Sequence, residues 1–312
     1  MLVISKGKQF MTNNSIGFDP VMPPSTESHN GLGSQNVIQF EHAGVRRGGH
    51  VVWSNVELSV KSGEFIAILG PNGSGKSTLL KAILGLLPLS EGRINVLGKA
   101  VRRGNPAISY LPQRRSFGPD MHVQGRELVR LGLEGTRWGV PLPGLRRLWG
   151  GGRLASVERQ RVKQAIEMVG ATAYANRPIG TLSGGEQQRL LIAQALVTRP
   201  RIFLLDEPLE SLDLHNQQAV SALIRNISQE YQITVMLVAH DVNPLLPYLD
   251  RVLYIGCGQI AIGTPESVIN SETLSHLYDS PIDVLHTKDG RLVVVGHPES
   301  VTYHPHLTHH EH

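Results

Sequence analysis

One residue in 312 is cysteine, Cys257, so the chain can form no internal disulfide, and a reducing, cytoplasmic setting is expected. Cys257 stands between Gly256 and Gly258 and reads as a turn residue rather than a reactive thiol. No apolar run approaches the roughly 18 residues that a membrane-spanning helix requires. The stretch from Met1 to about Gly33 lacks the basic, apolar and small-residue regions of a secretory signal. Its clusters Asn13-Asn14-Ser15 and Pro23-Pro24-Ser25-Thr26 read as a disordered leader. Aromatics make up only 5% of residues and do not interleave with basic ones, which argues against nucleic acid as a partner. The net charge of +4 is mild, and Arg146-Arg147 and Arg153 read as a solvated face. With 40% apolar and 18% charged residues, the chain is long enough to bury an ample globular core.

Against that plain background stands Gly70-Pro71-Asn72-Gly73-Ser74-Gly75-Lys76-Ser77, followed by Thr78, with the spacing of a phosphate-binding loop. It joins an apolar strand, Phe65 to Leu69, to a helix whose Leu79, Leu80, Ile83, Leu84 and Leu87 recur at helical spacing. Glycines let the backbone N–H groups turn toward phosphate oxygens, and the helix start adds partial positive charge. Lys76 would reach the β- and γ-phosphates, and the Ser77 hydroxyl would ligate Mg²⁺. Alone, this motif implies only a bound nucleoside triphosphate.

A second glycine motif lies more than a hundred residues on: Leu182-Ser183-Gly184-Gly185-Glu186-Gln187-Gln188-Arg189. It resembles the signature sequence of ATP-binding cassette (ABC) proteins. Physically it is another anion site, a serine hydroxyl and glycine N–H groups opening a helix. Further elements occur in that family's order. The strand Ile108 to Leu111 leads through Pro112 to Gln113. The apolar run Arg201 to Leu205 ends in Asp206-Glu207, as a buried parallel strand would beside phosphates. Ser211-Leu212-Asp213 follows, and the strand Ile233 to Ala239 ends at His240.

The resemblance covers about Val37 to Gly263. It implies an α/β P-loop ATPase: a mixed sheet core, an antiparallel β subdomain and an inserted helical subdomain. The expected divisions are a leader over 1–36, an ATPase domain over 37–268 with helical insertion about 114–198, and a C-terminal extension over 269–312. Within the insertion, Glu127 to Leu133 and Val157 to Val169 read as helices. Gly135 to Arg153 between them reads as a mobile surface loop.

By resemblance, Asp206 holds the Mg²⁺ of Mg-ATP with Ser77 and Gln113, and Glu207 is general base or water-orienting carboxylate. Gln113 meets the metal or the attacking water, His240 contacts the γ-phosphate, and Asp213 couples two nucleotide sites. Ser183, Gly184, Gly185 and Glu186 grip ATP bound to a second copy of the chain. Arg47 stands where the family stacks an aromatic on adenine, so that contact falls to the Arg47 guanidinium plane or to His50.

The implied partners are membrane permease subunits, a second copy of the chain and an extracytoplasmic substrate-binding protein, which places the ATPase on the cytoplasmic face of the membrane. The signature with Glu186, the run Val238 to Leu245, and Gly263-Thr264-Pro265 through Tyr278 resemble zinc and manganese importers; iron-siderophore and cobalamin importers are similar in the signature. The extension carries a hairpin pattern, Ile282 to His286, Asp289-Gly290, then Leu292 to Val295. His304, His306, His309, His310 and His312 form a tail that reads as a disordered terminus or a weak metal collector. A ribosomal or DNA-acting ABC ATPase would carry a second cassette or a long coiled coil, and a P-loop kinase or GTPase would lack the signature and His240.

Overall fold

The computed structural model describes residues 35–113, 117–134, 151–287 and 291–296. The leader, all but the last three residues of the loop from Gly135, the turn Asp289-Gly290 and the histidine tail lie outside the described residues.

Two long strands open the fold, β1 (Asn36–Arg47) and β2 (His50–Lys61). Gly48-Gly49 turns them with both residues at positive φ, as a two-residue hairpin requires. β4 (Glu91–Val96) and β5 (Lys99–Ala100) complete an antiparallel sheet in the order β2-β1-β4-β5. The central sheet is mixed and runs β10-β9-β3-β8-β7-β6. Its members are β3 (Phe65–Leu69), β6 (Ile108–Leu111), β7 (Ile202–Asp206), β8 (Thr234–Val238), β9 (Arg251–Gly256) and β10 (Gln259–Gly263). Every residue of β3, β7 and β8 is buried, which is why these segments read as unbroken apolar runs rather than alternating ones.

Pleating divides β3 between two cores. Phe65, Ala67 and Leu69 face a cluster built largely from helices, while Ile66 and Ile68 face a cluster shared with the antiparallel sheet. The helices are α1 (Lys76–Ile83), α2 (Gly125–Glu134), α3 (Gly151–Met168), α4 (Gly184–Leu196), α5 (Leu214–Tyr231), the short α6 (Pro265–Val268) and α7 (Ser271–Tyr278). Val162, Ala165, Ile166 and Val169 are buried as their spacing foretold. α3 nevertheless begins at Gly151, so Gly151–Arg153 are helical rather than loop. Their glycines made them read as loop, but extending an existing helix by a residue costs far less than starting one.

The start of β3 is fixed from below. The Asp250 carboxylate accepts the Phe65 N–H at 2.8 Å and both guanidinium nitrogens of Arg225 at 2.7 and 2.9 Å. A bidentate pair of this kind gives direction as well as energy. The chain closes in a hairpin, β11 (Ile282–His286) with β12 (Leu292–Gly296), antiparallel over five residue pairs. Cys257 occupies the β9–β10 turn with φ 43°, the role its flanking glycines implied.

Candidate functional site

Sheet order assembles the site. β3, β8, β7 and β6 are consecutive parallel neighbours, so whatever follows their carboxyl ends stands in a row. The phosphate-loop motif leaves β3, His240 lies two residues past β8, Asp206 ends β7 with Glu207 after it, and Gln113 lies two residues past β6. Four segments spread over more than a hundred residues thereby share one edge.

Within the loop, Gly70, Gly73 and Gly75 all have positive φ. A side chain on Gly70 would collide with the Ile255 carbonyl oxygen, so this position admits glycine alone. Pro71, Asn72 and Gly73 are exposed, while Ser74, Gly75, Ser77 and Thr78 are half-buried. Lys76 is 5% exposed, and its ammonium donates to the carbonyls of Gly70 and Pro71 at 2.8 and 2.9 Å. Burial pushes its pKa down, opposed by the charges of Glu207 and Asp206. Its hydrogen bonds go to neutral carbonyls, which phosphate oxygens can replace.

Asp206 is buried and accepts from the Ser77 hydroxyl at 3.3 Å and the Tyr110 hydroxyl at 3.0 Å. Burial first, then the Asp206 charge, raises the Tyr110 pKa, so the phenol stays a donor. Ser77 and Asp206 offer adjacent hard oxygens, the donor set that suits Mg²⁺. Sequence reasoning passed over Tyr110, whose only signal was its place one residue before the end of β6.

Glu207 carries φ 53°, a left-handed conformation rare outside glycine, and its N–H donates to the Val238 carbonyl at 3.1 Å. Both carboxylate oxygens are engaged. Oε1 meets His240 Nε2 at 2.9 Å, and Oε2 accepts from Gln113 Nε2 at 2.5 Å. Gln113 Nε2 also donates to Glu210 Oε2 at 2.8 Å. Glu210 is a second member of the site that the sequence reading did not single out. Ligand atoms of Glu207, Glu210 and His240 lie within 4.8 Å of one another.

The second glycine motif is built as a helix start. Ser183 caps α4: its hydroxyl accepts from the Glu186 N–H at 3.3 Å, and the Glu186 carboxylate accepts from the Ser183 N–H at 2.8 Å, a reciprocal capping box. Gly184 and Gly185 form the first turn, and a Cβ on Gly185 would stand 2.5 Å from Asn216 Oδ1. Asp213 caps α5, accepting from the backbone and side-chain nitrogens of Asn216 at 2.9 and 2.8 Å. Those hydrogen bonds hold its carboxyl below the usual range. Gln187 is 5% exposed and ties the motif inward: its amide donates to the carbonyls of Ile179 and Leu182, and its oxygen accepts the Phe117 N–H.

Ser77 with Asp206, and Gln113 and His240 with Glu207, therefore form two bonded groups joined at the neighbours Asp206 and Glu207. Among the described residues no hydrogen bond or ion pair joins Ser183 or Glu186 to either group; their partners are each other and Arg177. Arg47 and His50 face each other across the β1–β2 turn, both exposed, so either is open to a base.

Comparison with known proteins adds three findings. Residues 53–210 match the family model described as ABC transporter. The chain is 35% identical to the zinc transport system ATP-binding protein TroB of Treponema pallidum, over 74% of this chain and 82% of that one. It is 34% identical to the hemin import ATP-binding protein HmuV of Streptomyces coelicolor, over 89% and 94%. Among solved structures, cbiO1 of Clostridium perfringens, part of the ABC transporter complex cbiONQ, superposes with a TM-score of 0.64 at 25% identity, over 77% of this chain and 93% of that one.

Proposed function

This chain belongs to the ABC transporter family and hydrolyses ATP, and on that premise we propose that it energises the import of a divalent metal ion, zinc or manganese, through separate membrane subunits. The observation that carries the catalytic part is the double engagement of Glu207 by His240 and Gln113 beside the phosphate loop.

In this reading Gly70 to Thr78 wrap the phosphates of ATP, and Lys76 trades its two carbonyl partners for β- and γ-phosphate oxygens. Magnesium, bound with the nucleotide, neutralises phosphate charge; Ser77, Asp206 and Gln113 would hold it. Glu207 takes a proton from the attacking water. Each of its oxygens has one partner and keeps a further lone pair, so the carboxylate can take that proton while His240 and Gln113 hold it in place. His240 keeps the carboxylate aimed and faces the γ-phosphate. Ser183, Gly184, Gly185 and Glu186 serve the nucleotide of a second copy, with Asp213 at the seam. No helix among the described residues is long and apolar enough to cross a membrane, so permease subunits supply the path. The ATPase then works at the cytoplasmic face, and an extracytoplasmic binding protein delivers the cargo. Glu207→Gln tests the assignment: ATP binding persists while turnover falls at least a hundredfold, on the order of the loss of a general base. Ordinary turnover in that variant removes Glu207 from the role.

The zinc or manganese cargo is supported by TroB and by the likeness of the run Val238 to Leu245 and of Gly263 through Tyr278 to zinc and manganese importers; the reach of HmuV over more of the chain favours a metal chelate as the second reading. Growth under chelation with the gene deleted separates them. Rescue by Zn²⁺ or Mn²⁺ supports the first reading, and rescue by hemin or a siderophore alone overturns it.

A further inference from the structure

Asn243 ties the C-terminal hairpin to the segment that follows His240. It stands three residues past His240. Its Oδ1 accepts the Leu292 N–H at 2.8 Å, and its Nδ2 donates to the Leu292 carbonyl at 3.1 Å. The same Nδ2 donates to Asp241 Oδ1 at 2.7 Å, which also accepts the Asn243 N–H at 2.9 Å. All three of these amide bonds depend on one orientation, since the flipped amide would oppose donor to donor at Leu292. Leu292 turns both its backbone groups to Asn243, so the amide serves as a one-residue continuation of the sheet beyond β12.

The hairpin behind this clamp is anchored independently. Ile282 is buried in the main core and Val284 and Leu292 pack on it. The N–H groups of Ile282 and Val284 donate to the hydroxyls of Ser275 and Ser271 on α7, each at 2.9 Å. On the other side, Ala239 is fixed to β3 by its N–H to the Ile68 carbonyl at 3.1 Å. His240 thus hangs between a strand and a clamp. Beside it the hairpin, the phosphate loop and the segment His240–Asn243 line an open cleft of about 560 Å³.

We propose that Asn243 is a positioning residue for His240, and that through it the C-terminal hairpin sets the angle at which the imidazole addresses Glu207 and the γ-phosphate. This rests on the reading that His240 acts in hydrolysis.

The test uses the full-length protein and four variants: Asn243→Ala, Leu292→Pro, their combination, and His240→Ala. Proline removes the Leu292 N–H at the first position of a strand, where it is tolerated, together with the isobutyl group packed on the core, so the melting temperature of this variant is read beside its kcat. Asn243→Ala should lower kcat about tenfold, as small misplacements near reacting groups do, while KM for ATP stays within about twofold. Leu292→Pro should act in the same direction, and the combined variant should lose no more than the worse single one, the mark of one shared interaction. If Asn243→Ala turns over normally while His240→Ala is inactive, the clamp is wrong and the reading of His240 stands. If kcat and KM fail together with the melting temperature, Asn243 is merely structural and the inference also falls. If His240→Ala itself turns over normally, the underlying reading of His240 goes, and the inference with it.

Discussion

Tyr110 and Glu207 show how single residues are made fit for their place. Glu207 sits in a backbone conformation that costs a non-glycine residue on the order of 1–3 kcal/mol, and that turn is what brings its carboxylate back over β8 toward His240. Tyr110 spends its only donor on Asp206, itself the end of a buried strand. A hydrogen bond to a charged acceptor contributes roughly 1.5–3 kcal/mol. Tyr110→Phe should therefore lower kcat by about tenfold or somewhat more, with nucleotide binding retained, as steady-state kinetics will show; an unchanged rate would mean that Asp206 is held well enough by Ser77. Tyr110, Glu210 and Asn243 were invisible in the sequence for one reason: each works through a partner far along the chain, Asp206, Gln113 and Leu292. The motif residues were legible because their spacing alone sets the geometry of a loop or a helix start.

At the level of elements, the capped helices α4 and α5 are where a role in the fold and a role toward ATP can be measured apart. Ser183 has one role in the fold, as cap, and a proposed one toward ATP. Replacing a capping serine by alanine costs about 1 kcal/mol, while glycine loses only a few tenths. Ser183→Ala should lower the melting temperature by about 2–4 °C and Ser183→Gly by much less, yet both should lose turnover because both lack the hydroxyl. An active Ser183→Gly protein would reduce Ser183 to a cap. Asp213 gives a pH signature. Its folded carboxyl titrates below its unfolded range because Asn216 donates to it. The stability it adds is present above that range and is lost as pH falls through the lowered folded value. Asn caps a helix equally well and does not titrate, so melts of Asp213→Asn should show a shallower acid decline than the parent, and parallel curves would deny the cap its charge. Strands β3, β7 and β8 were legible because burial on both faces demands continuous apolar residues. The start of α3 was not, because Gly151-Gly152 carry no helical preference and the helix reaches them from behind.

At the scale of the whole molecule the decisive fact is a separation. Asp206, Glu207, Gln113 and His240 gather beside the phosphate loop, while among the described residues the side chains of Ser183 and Glu186 bond each other's backbone and Arg177. A helix start carries partial positive charge and suits an anion, and the acid in the first turn of α4, Glu186, is turned to the Ser183 N–H in the capping box, leaving Ser183 and Gly184 exposed. A second copy can supply the anion by presenting the γ-phosphate of its own nucleotide, and twofold symmetry then satisfies both sites at once. On the function proposed above, such a pair would depend on a phosphate that hydrolysis removes, so it should be detected only when removal is blocked. Glu207→Gln with ATP and magnesium should sediment as a dimer, and with ADP as a monomer. Adding Ser183→Arg, which fills the mouth of α4 with a bulky side chain, should return the ATP-loaded protein to monomer without weakening ATP binding to the phosphate loop. If the double variant still dimerises, the two copies meet through some other face, and the second glycine motif has a different task.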